Sequence, residues 1–283
     1  MSLLKIRGAD TYYEWITNQA GERTDRPVLV FFHGWGGSGR YWRSTAEAMS
    51  DRYDCLIYDL RGFGRSEIVD GDEPSAYSLK SYADDLDELL TALKIDRVSV
   101  VAHSMGCSIA TYFLAAWGDR VERCILTCGG VFKFNAIIFG IFYQFGQLVI
   151  NFRPRWFYTL PGVDFLVMQR FLHRSIPGSD RSEFIEDYLG ATANAAIGTL
   201  LSVAQPNTCT EISEQIASLS IPTLVLSCDR DTIVPASLGR AAAALNSSLK
   251  YQVLKKVGHF PMLEDSENFL DAIRSFLAIA AVV

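Results

Sequence analysis

The sequence predicts an α/β fold: a doubly wound, mostly parallel sheet with a helical cap inserted after the sixth core strand. Three observations carry this expectation. Apolar runs of strand length at 27–32, 53–58, 97–102, 121–127 and 221–227 alternate with helix-like stretches, and parallel strands need such crossovers. The rhythm stops at about 130 and resumes after 205; the interval is rich in aromatics, punctuated by Pro154, Pro161, Gly162, Pro177 and Gly178, and shows no β-run. The length of 283 residues suits one large domain with an insertion. The expected division is therefore a core of 1–129 and 206–283 with a cap of 130–205.

The elements follow in order. Segments 3–7 and 11–17 alternate enough for a short antiparallel pair. The run PVLVFF at 27–32 enters a loop, 33–39, with four glycines in seven residues, where backbone can approach a ligand closely. A helix over 40–50 and a strand over 53–58 come next, the strand ending in Asp59-Leu60-Arg61-Gly62-Phe63-Gly64-Arg65-Ser66. Asp59 and Arg61 read as supports of that loop. Over 78–93 the 3.6-residue period puts Leu79, Tyr82, Leu86, Leu89, Leu90 and Leu93 on one face, leaving Asp84, Asp85, Asp87 and Glu88 as a solvated face. The strand at 97–102 opens directly into the apolar helix 105–117, and a strand at 121–127 precedes the insertion. After the insertion come a strand at 221–227, a loop at 228–235, a helix at 236–245, a strand at 249–254 and an amphipathic helix at 267–280.

Composition narrows the function. The formal charge is 26 − 32 = −6 with no long basic run, which argues against nucleic acid, since phosphate binding needs clustered Lys and Arg. Six scattered cysteines form no C-x-x-C pair and have no histidine at metal-ligand spacing, so they read as buried, reduced thiols of an intracellular, cytoplasmic protein. The first residues lack the apolar core of a signal peptide, and no window reaches the length of a membrane span.

The chemistry centres on Ala102-His103-Ser104-Met105-Gly106. Strand, sharp turn and helix hold a serine in a strained conformation that needs small residues two positions before and after it. Serine is a poor nucleophile without an oriented base. Of the four histidines, His33 braces the glycine-rich loop, His103 points away from its neighbour, and His173 lies in the insertion. That leaves His259, just after the last strand, at the sheet edge where sites of such folds gather. The orienting acid should also follow a strand; Asp229 and Asp231 both do, and Asp231 is preferred because it lies deeper in the loop before Ile233-Val234-Pro235. Only Cys128, Gly129 and Gly130 follow the strand at 121–127.

With these residues in place the chain resembles the α/β-hydrolase superfamily over nearly its whole length. The order Ser104, Asp231, His259 is the order of that family, and His33-Gly34-Trp35-Gly36-Gly37, Asp59 to Ser66 and Gly258-His259-Phe260-Pro261 are similar to its recurring segments. Ala102 departs from it, standing where a glycine is usual. The resemblance implies a Ser-His-Asp triad, an oxyanion hole of the main-chain amides of Trp35 and Met105, a lid formed by the insertion, no metal and no cofactor. A serine, where some relatives carry a carboxylate nucleophile, implies acyl chemistry and not epoxide opening or halide displacement.

The insertion concentrates aromatic residues, which implies an apolar pocket and an uncharged ester, lactone or ketone substrate. Trp35, Phe134, Phe142, Trp156 and Phe260 are the candidate pocket residues. Arg153, Arg155, Arg170 and Arg174 are able to attract an anionic group, though each reads mainly as solvated surface. Contact of the lid with a membrane is the lesser expectation, and oligomeric state leaves no mark on the sequence. The leading reading is a serine hydrolase of a small to medium apolar carboxylic ester. The alternatives are a carbon-carbon bond hydrolase or perhydrolase with the same triad, and a ligand-sensing protein that binds a hydrophobic small molecule without turnover.

Overall fold

The computed structural model describes residues 2–19, 22–67, 73–132, 140, 144, 146–148 and 150–278. Eight strands form one sheet: β1 (Ser2–Ile6), β2 (Ala9–Ile16), β3 (Val28–Phe32), β4 (Asp54–Tyr58), β5 (Val98–His103), β6 (Val121–Thr127), β7 (Thr223–Cys228) and β8 (Lys250–Leu254). Their spatial order is β1-β2-β4-β3-β5-β6-β7-β8. The β1/β2 and β2/β4 pairs are antiparallel and every later pair is parallel. The expected antiparallel opening and parallel body are both present.

The apolar runs are strands because both faces of the sheet are covered. Along β3, Val28, Val30 and Phe32 enter one core, while Leu29 and Phe31 enter the other. The first core also takes Leu79, Tyr82, Leu86, Leu89 and Leu90 from α2 (Leu79–Ala92) and Ile109, Ala110 and Phe113 from α3 (Met105–Trp117). The second takes Ala46 and Met49 from α1 (Arg43–Met49) and, at the C-terminal end of the chain, Phe269, Ile273 and Phe276 from the helix Ser266–Leu277. Each residue pair along a strand thus feeds two layers, the sidedness that period-2 geometry imposes.

The acidic stripe on α2 is not wholly solvated. Asp85 is buried and meets Arg61 at 3.1 Å and Arg7 at 3.0 Å. Burial raises its pKa to about 6 against the pull of both arginines. Arg61 reaches it from the loop after β4, a partnership that helical periodicity within α2 cannot show. Asp59, at the head of that loop, accepts from the amides of Gly39 and Arg65 and pairs with the Arg65 side chain at 2.7 Å.

Between β6 and β7 the described residues hold α4 (Arg155–Tyr158), α5 (Val163–Met168), α6 (Gly178–Gly190), α7 (Ala193–Ala204) and α8 (Pro206–Ser218). Helix α7 presses on the turn before α2: a Cβ added at Gly198 would stand 2.1 Å from the Pro74 carbonyl oxygen, so only glycine fits this approach. Helix α8 sends Ile212 and Ile216 into the first core. The chain closes through α9 (Ala236–Ala244), α10 (Pro261–Glu264) and α11 (Ser266–Leu277). Among the described residues no helix is long and apolar enough to cross a membrane.

Candidate active site

Strand β5 ends at His103, and Ser104 turns the chain into α3 with φ 54° and ψ −122°. A positive φ is costly for a residue with a Cβ. The turn is held by the Ser104 amide donating to Thr127 O at 2.9 Å and the Cys107 amide donating to Ser104 O at 2.9 Å. Close packing dictates the small neighbours. A Cβ at Gly106 would lie 2.8 Å from His33 O and 2.9 Å from Phe32 O, whereas the Ala102 methyl is accommodated in the first core. The departure from glycine at 102 is therefore sterically harmless.

Around this turn three side chains from distant parts of the chain meet. Ser104 Oγ lies 3.0 Å from His259 Nε2, and His259 Nδ1 lies 2.7 Å from Asp231 Oδ2. Asp231 Oδ1 also accepts from the amides of Ile233 and Val234, at 2.8 and 2.9 Å. Burial alone would raise the Asp231 pKa; the bond from His259, that ring's charge and the two amides outweigh it and hold the carboxyl below its usual value. Asp229, the other candidate, bonds the Lys256 amide and lies 4.0 Å from both Arg230 and Lys255. It takes no part in this cluster.

The supporting groups are less visible in the sequence. His33 accepts from the Leu60 amide at Nε2 and bonds Gly34 O at Nδ1, bracing two loops. His103 turns away from Ser104 and bonds the His259 carbonyl through Nε2 at 2.7 Å. Its Nδ1 lies 3.0 Å from the Tyr41 hydroxyl, which also accepts the Gly34 amide at 2.5 Å. Burial first, and the nearby His259 ring second, hold the His103 pKa well below its usual value. A neutral ring fits one proton arrangement: Nε2–H donates to His259 O, Nδ1 accepts from Tyr41 O–H, and Tyr41 accepts from Gly34. The glycine-rich loop, the serine turn and the histidine loop are thereby joined in one chain of bonds. Glu264 completes the frame, its buried carboxylate accepting from the amides of Gly258, Phe260, His173 and Arg174 at 2.7–3.1 Å. His173 contributes that amide, and its ring is on the surface.

The model of the α/β hydrolase fold matches residues 27–266 of this sequence. The chain belongs to the α/β-hydrolase family. It is 27% identical over 265 residues to an uncharacterized protein of Mycobacterium tuberculosis, covering 89% of this chain and 75% of that one. It is 26% identical to a putative carbamate hydrolase of Pseudomonas syringae, covering 92% and 96%, and 27% identical to a putative non-heme chloroperoxidase of Synechocystis, covering 87% and 86%. Among solved structures it resembles the enol-lactonase of Burkholderia xenovorans, with TM-score 0.79 at 18% identity over 98% and 99% of the chains. A thermophilic esterase of Thermogutta terrifontis gives 0.77 at 23% identity over 98% of each.

In this α/β hydrolase a cavity of about 460 Å³ opens over Ser104 and His259, within the range of small-molecule sites. Trp35, Met105, Phe132, Phe171, Phe184, Leu200, Val203, Ile233, Val234 and Phe260 give it apolar walls, and Arg170 also lines it. Of the expected pocket residues, Trp35 and Phe260 face it, and Trp35 Nε1 donates to Ala196 O at 3.0 Å. Phe134 and Phe142 lie outside the described residues. Trp156 is not in the lining: the single-turn helix α4 buries none of its residues and leaves that ring 66% exposed. Phe171 and Phe184 take its place, packing on Phe260 at 6.1 and 5.3 Å between ring centres.

One set of metal-type donors exists among the described residues. Ligand atoms of His103, Cys128 and His259 lie within 4.8 Å of one another. Each is already engaged: His103 with Tyr41 and His259 O, His259 with Ser104 and Asp231, and Cys128 with Cys228 at 3.6 Å between sulfurs. A metal here would have to break the Ser104–His259 contact. All six cysteines are buried free thiols, and burial pushes the Cys107 and Cys128 pKa values well up, away from reactive thiolate.

Proposed function

We propose that this protein is a cofactor-independent, cytoplasmic serine hydrolase that cleaves small to medium carboxylic esters with an apolar body through an acyl-Ser104 intermediate. The observation that carries this reading is the unbroken line Ser104–His259–Asp231 at the floor of an apolar cavity. His259, with its proton on Nδ1 fixed by ionised Asp231, takes the Ser104 proton as Oγ attacks the carbonyl carbon. The oxyanion then faces the amides of Trp35 and Met105. The Gly34 amide is committed to Tyr41, so the next amide in the loop is the one offered, and two such donors each lower the barrier by roughly 3 kcal/mol. His259 returns the proton to the leaving alcohol, and water, deprotonated by the same ring, releases the acid. The described part of segment 130–205, which gives Phe132, Phe171, Phe184, Leu200 and Val203 to the cavity walls, acts as a cap over the site.

The names of the relatives support acyl transfer to water, since carbamate, lactone and ester hydrolysis share the tetrahedral intermediate. The likeness to a putative chloroperoxidase favours a second reading, in which hydrogen peroxide intercepts acyl-Ser104 to give a peracid. Short and medium 4-nitrophenyl esters, assayed with the native chain and with Ser104→Ala and His259→Ala, test the first. The expected result is turnover that drops by about 10³-fold or more in each variant. Hydrolysis that survives either substitution contradicts the reading, and peracid formed from ester and peroxide at a rate above hydrolysis would establish the second.

A further inference from the structure

The cavity above Ser104 is mostly apolar, with Tyr41, His103, Ser104, Ser108 and His259 as polar members of its lining and the exposed residue Arg170 as its one guanidinium. Among its described lining residues Arg170 is the sole Lys, Arg, Asp or Glu. The side chain is tethered there: Nη1 donates to Thr232 Oγ1 and, at 3.4 Å, to Thr232 O, while Thr232 Oγ1 donates to Arg170 O at 2.9 Å. Thr232 follows Asp231, so the cation is fixed beside the loop that carries the candidate acid.

Of the other arginines of the insertion two are ion-paired, Arg153 and Arg155 are in no ion pair among the described residues, and Arg170 is set apart by its place in the cavity lining. Arg174 meets Asp265 at 3.0 Å and Arg181 meets Asp164 at 2.8 Å. Arg153 gives its donors to the carbonyls of Ile150, Tyr188 and Ala191. No ion pair among the described residues includes Arg170, whose bonds go to neutral oxygens of Thr232. The stretch 131–163, which supplies Phe132 and Gly146 to the lining, contains no Asp or Glu at all. A guanidinium has five donors in a planar fork that matches a carboxylate, and Thr232 leaves most of them open. In a chain of charge −6 an anion is repelled overall, so a fixed local cation is what admits one.

We propose that the ester carries a carboxylate at the end remote from the scissile bond and that Arg170 receives it, which names half-esters of dicarboxylic acids and esters of carboxy-substituted alcohols as the substrate class. The apolar walls hold the body of such a molecule and the arginine holds its charged end. This rests on the hydrolase reading above and adds a polarity to the substrate. Two ester pairs test it: mono-4-nitrophenyl adipate against its terminal carboxamide, and 4-butanoyloxybenzoate against its carboxamide.

In at least one pair the native protein should favour the carboxylate by about tenfold or more in kcat/KM. That ratio should collapse in Arg170→Gln through a higher KM, shrink as ionic strength rises, and persist in Arg155→Gln. Calorimetric binding of monomethyl adipate against dimethyl adipate to Ser104→Ala reads the same preference without turnover, with and without Arg170→Gln. If no ester is hydrolysed but monomethyl adipate binds through Arg170, the hydrolase reading falls and the anion site stands. Equal kcat/KM within both pairs, or a preference that survives Arg170→Gln, overturns the proposal.

Discussion

At Ser104 a positive φ and the small residues around it place one hydroxyl where the ring of His259 can reach it. The hydroxyl of Tyr41 does as much by indirect means. It links the Gly34 amide to His103 Nδ1, and His103 in turn holds the His259 carbonyl. Removing that single oxygen leaves a buried donor and a buried acceptor without partners, about 1–3 kcal/mol each. The loss falls on the spacing between the proposed oxyanion amides and the base. Tyr41→Phe should therefore lower kcat for ester hydrolysis by about tenfold or more with KM nearly constant. Steady-state kinetics at saturating ester checks this, and a raised KM at constant kcat would show that Tyr41 acts only on binding.

Helix α6 meets the glycine-rich loop through a charged contact whose strength depends on pH. Asp187, buried on α6, accepts from Ser38 Oγ at 2.5 Å and lies 3.7 Å from Arg40. Burial raises its pKa to about 6, although Ser38 and Arg40 pull the other way. An acid whose pKa rises on folding binds its proton more tightly in the folded state. Its contribution is complete below the unfolded value near 4 and is lost as pH climbs to about 6, on the order of 3 kcal/mol. Asp85 has the same sign and window, while Asp231, shifted downward, contributes above pH 4 and loses its share in acid. Asp187→Asn keeps an acceptor for Ser38 and cannot ionise. Chemical denaturation at pH 4, 5, 6 and 7 should show the variant gaining on the native chain as pH rises, with the gap level above pH 6. A gap that does not change with pH would contradict the assignment.

Across the whole molecule, the readable features were those whose physics is local. Apolar runs on β3, β4 and β5 mark strands covered on both faces, and Ser104, Asp231 and His259 each follow a strand, where side chains at a sheet edge converge. Tyr41 and Glu264 are not legible in the sequence because each joins a nearby loop to a distant one: Tyr41 bonds Gly34 and the distant His103, and Glu264 bonds amides at 258 and 260 and the distant ones at 173 and 174. Nothing in their own neighbourhoods marks them. Asp85 reads as solvated from the α2 pattern for the same reason, since Arg61 comes from another segment. Aromatic density alone points Trp156 to the pocket, and density does not say which face of a one-turn helix turns inward.

The central claim, that Ser104 is a nucleophile made reactive by His259, is tested most directly by covalent labelling. A fluorophosphonate attacked by an activated serine loses fluoride and leaves a phosphonyl ester on that oxygen. Intact mass and peptide mapping of the native chain should show one phosphonyl group, on Ser104, and none at matched times in His259→Ala. Label on another residue, or labelling of Ser104 at an equal rate without His259, would contradict the account.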